Sequence, residues 1–442
     1  MSDLLAIGAS GVKAYGRALS VVGDNIANAQ TDGYVRRTVR LEEAPAAGDL
    51  VLSRNNVRPG GVSAAGVTRE LDQWLVDDAR TASGEAARQS ARLNWMTAAE
   101  GALDNGGDSI SGNVTAIFAA ADQLSANPND PTLRSQFLSS IDDSASAFRR
   151  TSAALTSAAN GVATEAQGAV DQLNTDLSAL ARVNDGLRRA RAGSSNEATL
   201  LDERDRLVGN ISGAMNVQVS YDARSAAIVR TASGDPLVEG NTVATVTLGV
   251  SAGGLLSFGI APATSIQPAS GKLAGLADAA SHISNQLTGL DSLAAQLSGA
   301  LNAAHQAGFD ANGNPGAALL NFTGSAADMT AAALTTSEVA TANASGSNGN
   351  ILAFNTVRAS SGIEQNISFL VAQQAQATAA ARAQEAAASG RRDGAFAARD
   401  AIGAVDLDRE AADLLRFQQA YEAAAKTIQV AREIMQSILN IF

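Results

Sequence analysis

Residues able to do chemistry crowd one stretch near the N-terminus, N-I-A-N-A-Q-T-D-G-Y-V-R-R, Asn25 to Arg37. Two asparagines, a threonine, an Asp-Gly pair, a tyrosine and two arginines could build a small active site, a nucleic-acid contact or a structural corner. Elsewhere the candidates thin out. The two histidines, His282 and His305, lie too far apart for the i, i+4 pair of a metal site, and each reads as a satisfied surface or boundary residue. Asp310-Ala-Asn312-Gly-Asn314 opens like a calcium loop. It fails where Pro315 replaces the required glycine and Asn321 stands in place of the bidentate glutamate, so it reads as a turn. Gly-Gly-Val-Ser-Ala-Ala-Gly at 60–66 lacks a phosphate-loop lysine and also reads as a turn. Asp202-Glu203-Arg204-Asp205-Arg206 alternates acid and base along a helix, as ion pairs on a solvated face do. The sequence assigns no catalytic, cofactor-binding or metal residue.

Composition points away from a pocketed enzyme. Aromatics make up 4% and charged residues 17% of 442 residues, while alanine, serine, glycine and asparagine abound. Such cores suit long, closely packed helices. No proline falls between Thr132 and Asp235, or after Pro315, so nothing there forces a helix to stop. The net charge of −12 disfavours nucleic acid or an anionic membrane as the main partner. The short basic runs (Arg36, Arg37, Arg40; Arg149, Arg150; Arg188, Arg189, Arg191) read as solvated faces or loops. Cysteine is absent, which removes disulfides and thiolate chemistry. Asp3 stands where a secretory signal needs a basic residue, and no apolar run approaches a membrane span.

The elements that would hold these residues are legible from periodicity. Leu5, Gly8, Val12, Tyr15, Leu19, Val22, Ile26 and Ala29 alternate spacings of three and four, a heptad seam. That helix is expected to end near Thr31, with Gly33 free to take a left-handed conformation. Leu414, Phe417, Tyr421, Ala424, Ile428, Ala431, Met435, Ile438 and Phe442 form a second stripe behind an expected N-cap at Asp406. At roughly 1.5–3 kcal/mol per large side chain buried, each stripe needs a partner. The chain between them divides into a helical domain's first part at 34–212, a β-rich outer insert at 213–270, and a returning helical part with a Gly/Asn-rich loop at 271–404. The core helices are 1–33 and 405–442. Helix is expected from about Thr68 to Ser212, strands at Val217–Tyr221 and Thr242–Val250, a long helix on the Leu273–Leu301 stripe, and another from about Gly362. The fold class is mainly α with a small β insert, and the terminal helices form a coiled coil.

The motif Asn25-Ile26-Ala27-Asn28-x-x-Thr31-x-Gly33-Tyr34 resembles that of the axial proteins of the bacterial flagellum. The long helical region that follows favours the hook-associated proteins of the hook–filament junction, the FlgK family, over hook and rod subunits. Leu200–Val208, His305–Gly316 and Val405–Lys426 resemble that family collinearly. Asp32 stands in the usual proline position, Val35 where serine is common, and the β insert is short for the family.

The resemblance implies a structural adapter, not an enzyme, and no cofactor. It joins hook to filament by self-assembly through the terminal helices. The implied interface is Leu5, Val12, Tyr15, Leu19, Val22 and Ile26 with Leu414, Phe417, Tyr421, Ile428, Met435, Ile438 and Phe442. The implied partners are further copies of the chain, the hook protein, the next junction protein on the filament side, and a type III export chaperone at the C-terminal helix. Nucleic acid and membrane insertion are not expected. The expected location is extracellular, at the junction, after export without a cleaved signal peptide. Before assembly the stripes are expected to be disordered or held by the chaperone. Tyr34 is expected to pack at the corner, and Arg36, Arg37 and Arg40 to meet acidic faces of neighbouring subunits. The alternatives are a hook or rod subunit, a flagellum-associated hydrolase, or a cytoplasmic coiled-coil signalling protein.

Overall fold

A computed structural model describes residues 2–31, 33–44, 60–103, 106–262 and 264–440; the side chains of Ser2 and Gly107 are not described. The chain forms two compact units. One comprises Met1–Gly84, Gln172–Thr245 and Ser389–Phe442, the other Glu85–Asp171 and Val246–Ala388.

The first unit opens with α1 (Ser2–Asn28) and a two-stranded antiparallel ladder, β1 (Arg37–Ala44) with β2 (Gly61–Arg69). This ladder lies where loop and helix were expected, and the Gly60–Gly66 segment read as a turn is largely β2. Its glycines serve contact as well as turning: a Cβ on Gly66 would lie 3.2 Å from the Gly193 backbone, whose carbonyl accepts from the Val67 amide. α1 stops three residues earlier than expected. Gly33 then takes the left-handed conformation its position suggested, with φ of 76°. α2 (Gln73–Leu103) starts in this unit, which also holds α5 (Ser195–Ala214) and the antiparallel meander β3 (Val217–Tyr221), β4 (Ala227–Thr231), β5 (Pro236–Glu239) and β6 (Thr242–Val243). Asn184 ties this sheet to its helix by giving a hydrogen bond to, and taking one from, the backbone of Ala227, both at 2.8 Å.

The second unit contains α3 (Ile110–Ala126), α4 (Pro131–Arg189) as far as Asp171, and α6 (Lys272–Gln306). It has a meander of its own, β7 (Val246–Val250), β8 (Leu256–Ile260) and β9 (Thr264–Ile266), and a short pair, β10 (Leu320–Asn321) with β11 (Thr330–Ala331). The β-rich stretch therefore splits into two sheets, one in each unit. α4 runs 59 residues because Pro131 opens it, Asp130 caps it, and no proline follows within it. α7 (Gly349–Ser361) packs on α3 and α6, and was hidden in an Asn/Ser/Gly-rich stretch. Gly362 in the left-handed conformation ends it, and α8 (Ile363–Gly403) follows directly. Phe118, Phe137, Phe148, Leu124, Leu290 and Phe354 lie in one apolar core. There Phe137 and Phe354 meet edge to face at 5.6 Å.

Candidate functional site

The first unit brings the two ends of the chain together. α9 (Leu407–Leu439), capped at Asp406 as its sequence suggested, packs along α1. Gly8 faces Ala424 and Ile428, Gly11 faces Ala424, Gly16 faces Tyr421, and Asn25 meets Glu410, so the helices run antiparallel. The approach is close. A Cβ on Gly8 would stand 2.7 Å from Ile428 Cγ1, and one on Gly11 would stand 2.8 Å from Ala424 Cβ. Gly8, the one small residue early in the first stripe, is thus part of a notch that admits the second. The stripes expected to lack a partner in the free chain are paired with each other.

The seam is unevenly covered. Val22 is buried, and Leu5, Val12, Tyr15, Leu19, Leu414, Phe417 and Ile428 are half-buried. Ile26, Tyr421, Met435 and Ile438 stay exposed, and Phe442 lies outside the described residues. The helix pair also presents apolar side chains that sequence reading did not single out: Leu4, Ile7, Leu415, Val430, Ile434 and Leu439 are 40% to 70% exposed.

At the far end of the pair lies a buried polar corner built from the Asn25–Arg37 stretch. Asn25 is fully buried and uses its whole hydrogen-bonding capacity. Its Nδ2 donates to the Arg37 carbonyl (2.8 Å) and to Glu410 Oε2 (2.9 Å). Its Oδ1 accepts from the Arg37 amide (3.0 Å) and the Tyr34 hydroxyl (2.9 Å). Asn28 and Thr31 work locally: Asn28 donates to the Asp24 carbonyl, and the Thr31 hydroxyl donates to Asn28 Oδ1. Burial, helped by the nearby acids Asp24, Asp202 and Glu410 and opposed by Arg37, pushes the Tyr34 hydroxyl up to about 12, so it remains a donor. Tyr34 does pack at the corner.

Arg36 and Arg37 are buried inside the chain, against the expectation of solvated or intersubunit roles. Arg36 lies among three carboxylates: Glu70 at 2.6 Å, Glu410 at 2.7 Å and Asp413 at 3.2 Å. Burial works against its charge, but Glu70 and Glu410 outweigh it and hold the guanidinium above its ordinary pKa. Arg37 and Arg69 stand opposite each other across the β1–β2 ladder, a like-charge pair that would oppose pairing. α5 resolves this by presenting Asp202 to both arginines (2.6 and 2.7 Å) and Asp205 to Arg69 (2.7 Å). Burial pushes Asp202 upward while Arg69 and Arg37 pull it back. Arg204 is buried too, bonded to Asp205 and stacked on Tyr221 at 4.2 Å. The Asp202–Arg206 run is therefore a working ionic face, with only Glu203 and Arg206 pairing at the exposed side. Arg40 does lie at the surface, beside Glu42.

The remaining candidates have structural roles within the second unit. His305 is buried, with Nδ1 donating to the Ala317 carbonyl (2.6 Å) and Nε2 accepting from the Ala340 amide (2.8 Å). His282 meets Gln374 at 2.6 Å. Asp310 accepts from the amides of Asn312 and Asn314, the turn its sequence suggested. Its fellow loop residues 336–341 are held by buried Arg134.

Residues 96–320 match the family model of the helical domain of the flagellar hook-associated protein FlgK. The chain belongs to the FlgK family. Both ends carry the wider flagellar signature as well. Residues 5–34 match the flagella basal body rod protein model, and residues 404–441 match that of the C-terminal part of the basal body rod FlgEFG proteins. Flagellar hook-associated protein 1 of Salmonella typhimurium is 28% identical over 72% of this chain and 59% of its own length. The chain thus spans about three fifths of that relative. The Bacillus subtilis protein of the same name is 24% identical over 96% of this chain and 95% of its own. The FlgK hook junction protein of Burkholderia pseudomallei, 23% identical, shares the fold with a TM-score of 0.50 over 55% of this chain and 46% of its own. The mainly α fold with small antiparallel sheets fits a FlgK-family protein.

Proposed function

We propose that this chain is a structural subunit of the flagellar hook–filament junction and that it catalyses no reaction. The observation that carries this reading is the α1–α9 pair. The pair covers its own seam only in part and keeps further apolar side chains exposed, Leu4 and Ile7 on α1 and Leu415, Val430, Ile434 and Leu439 on α9. Exposed apolar side chains in such number mark an assembly surface. Further copies of the chain cover these side chains in the assembled structure. The seam residues from Leu5 to Ile26 and from Leu414 to Ile438 then hold each subunit's own helices together and complete the interface. The hook protein, the next junction protein and an export chaperone at α9 are the other partners, and the chain works outside the cell after export through the flagellar apparatus. Among the described residues no helix is long and apolar enough to cross a membrane. The β-rich stretch at 213–270 lies on the outside of the assembly.

The test replaces Val430 and Ile434 with Asp. Both are exposed, so the α1–α9 pair should survive in the purified chain. Cells carrying the variant should shed filaments from otherwise complete hooks, and the protein should be missing from sheared hook–basal bodies. Normal filament attachment would refute the proposal.

A further inference from the structure

Three segments of the first unit, the β2 exit, the end of α8 and α9, converge on Arg36. The Arg36 side chain is 4% exposed, and two of its three carboxylates, Glu410 and Asp413, belong to α9; only Glu70 belongs to the β2 exit. Its backbone is tied in as well. The Arg36 amide donates to the Gly403 carbonyl at the end of α8 (2.8 Å), and the Arg36 carbonyl accepts from the Glu70 amide (2.9 Å). Glu410 is fully buried, and its second oxygen takes a hydrogen bond from Asn25. Each side of this junction therefore depends on the other. With α9 away, Arg36 keeps one partly exposed acid and Asn25 loses the acceptor for one of its two amide donors. With the corner open, Glu410 would lie against α1 without a counter-charge. A buried charge stripped of its partner is strongly destabilising, so neither half-formed state is favourable. The other charges nearby are already committed. Asp413 is met from the solvent side by Arg416 at 3.0 Å, and Arg37 is held by Asp202.

We infer that α9 acts as an ionic latch: its docking on α1 and the ordering of the Asn25–Arg37 corner with the β1–β2 ladder are one cooperative event. Whatever captures α9 elsewhere unlocks the N-terminal corner, and whatever opens the corner releases α9. The coupling is reciprocal by linkage. It is a property of the single chain and holds whether or not the junction role is right.

Hydrogen exchange on the full-length chain tests it through two substitutions. Ile428→Asp disrupts the helix pair at the Gly8 notch, 18 residues and about 27 Å along α9 from Glu410. It alters no atom of the corner. Amides of α9 and those of residues 34–44 and 61–70 should then exchange at least tenfold faster together, with α6 amides in the second unit unchanged. Glu410→Gln keeps the shape and removes the charge, and should speed both segments in the same way. It decides the case in which Ile428→Asp fails to release α9. Faster exchange in α9 with corner protection held within twofold of the parent would overturn the latch. Unchanged exchange in Glu410→Gln would do the same.

Discussion

Gly11 offers the sharpest quantitative test of how the two ends meet. A Cβ there would stand 2.8 Å from Ala424 Cβ, about 1 Å inside ordinary carbon–carbon contact. Ala424 Cβ has no rotamer by which to retreat, so a side chain at Gly11 must push the helices apart. Gly23, on the same helix, has no heavy atom within 4 Å of the corresponding position. Gly→Val at either site improves helix propensity by roughly 0.3 kcal/mol. At Gly23 little else changes. At Gly11, overpacking of a tight contact costs about 2–3 kcal/mol. The net loss of roughly 1.7–2.7 kcal/mol corresponds to about 16- to 85-fold in the equilibrium between docked and undocked α9. Because the chain has two compact units, a global denaturation midpoint is a poor measure. Native-state hydrogen exchange of the α9 amides between Glu410 and Ile428 reads the opening directly. Gly11→Val should accelerate them by that factor, and Gly23→Val should leave them within about twofold. Equal behaviour of the two variants would refute the close approach.

Three further outcomes concern the second unit. Gly275→Ala should destabilise it by more than about 3 kcal/mol, because the new Cβ would lie 2.1 Å from the Arg88 carbonyl oxygen; Gly299→Ala, in open space on the same helix, should stabilise it by up to about 1 kcal/mol. Urea unfolding followed by fluorescence of Trp95, which is half-buried against this core, separates the two signs. Burial holds the His305 pKa below its ordinary 6.5, with the Ala317 carbonyl pulling the other way, so the unfolded chain takes up the proton first as pH falls. The stabilisation is complete above pH 6.5 and is lost as pH drops toward the lowered folded value; the second unit's midpoint should fall from pH 7.5 to pH 5, with a weaker slope in His305→Gln. Arg134→Lys should cost roughly 2–4 kcal/mol in the same assay. One ammonium cannot reproduce the fork that serves Pro128, Thr336, Val339 and Thr341 at 2.7–3.1 Å.

Sequence reading recovered what is local and periodic. The stripes of α1, α6 and α9 repeat every three or four residues, and the cap at Asp406 precedes its helix directly. It failed where partners come from far along the chain. The acceptor that buries Asn25 is 385 residues away, and the acids that bury Arg36 and Arg37 sit on α9, α5 and the β2 exit. Judged by its neighbours in sequence, a pair of arginines reads as solvated, because the usual fate of such a pair is exposure. β2 was missed for a related reason. Its glycines mimic a turn, and the requirement for Gly66 arises from the backbone of Gly193, three helices further along the chain. The polarity of Asn25–Arg37 was visible throughout, whereas its purpose depended on residues that no window around it contains.

The buried ions also answer a question the apolar stripes leave open. Two heptad seams can pair at several offsets, since a slide of seven residues restores the same pattern of three and four. Apolar contact alone would make these registers similar in energy. Polar and ionic groups do not tolerate the slide. Moving α9 by one heptad would carry Glu410 about 10 Å from Arg36 and Asn25, leaving a buried guanidinium and amide short of partners. The same shift would replace Ala424 at Gly11 by Phe417 in one direction and by Ala431 in the other, so the notch rejects the first slide and the corner rejects both. Burial of the stripes drives the ends of the chain together. The corner and the glycine notch, at opposite ends of α1, select which of the possible pairings is adopted.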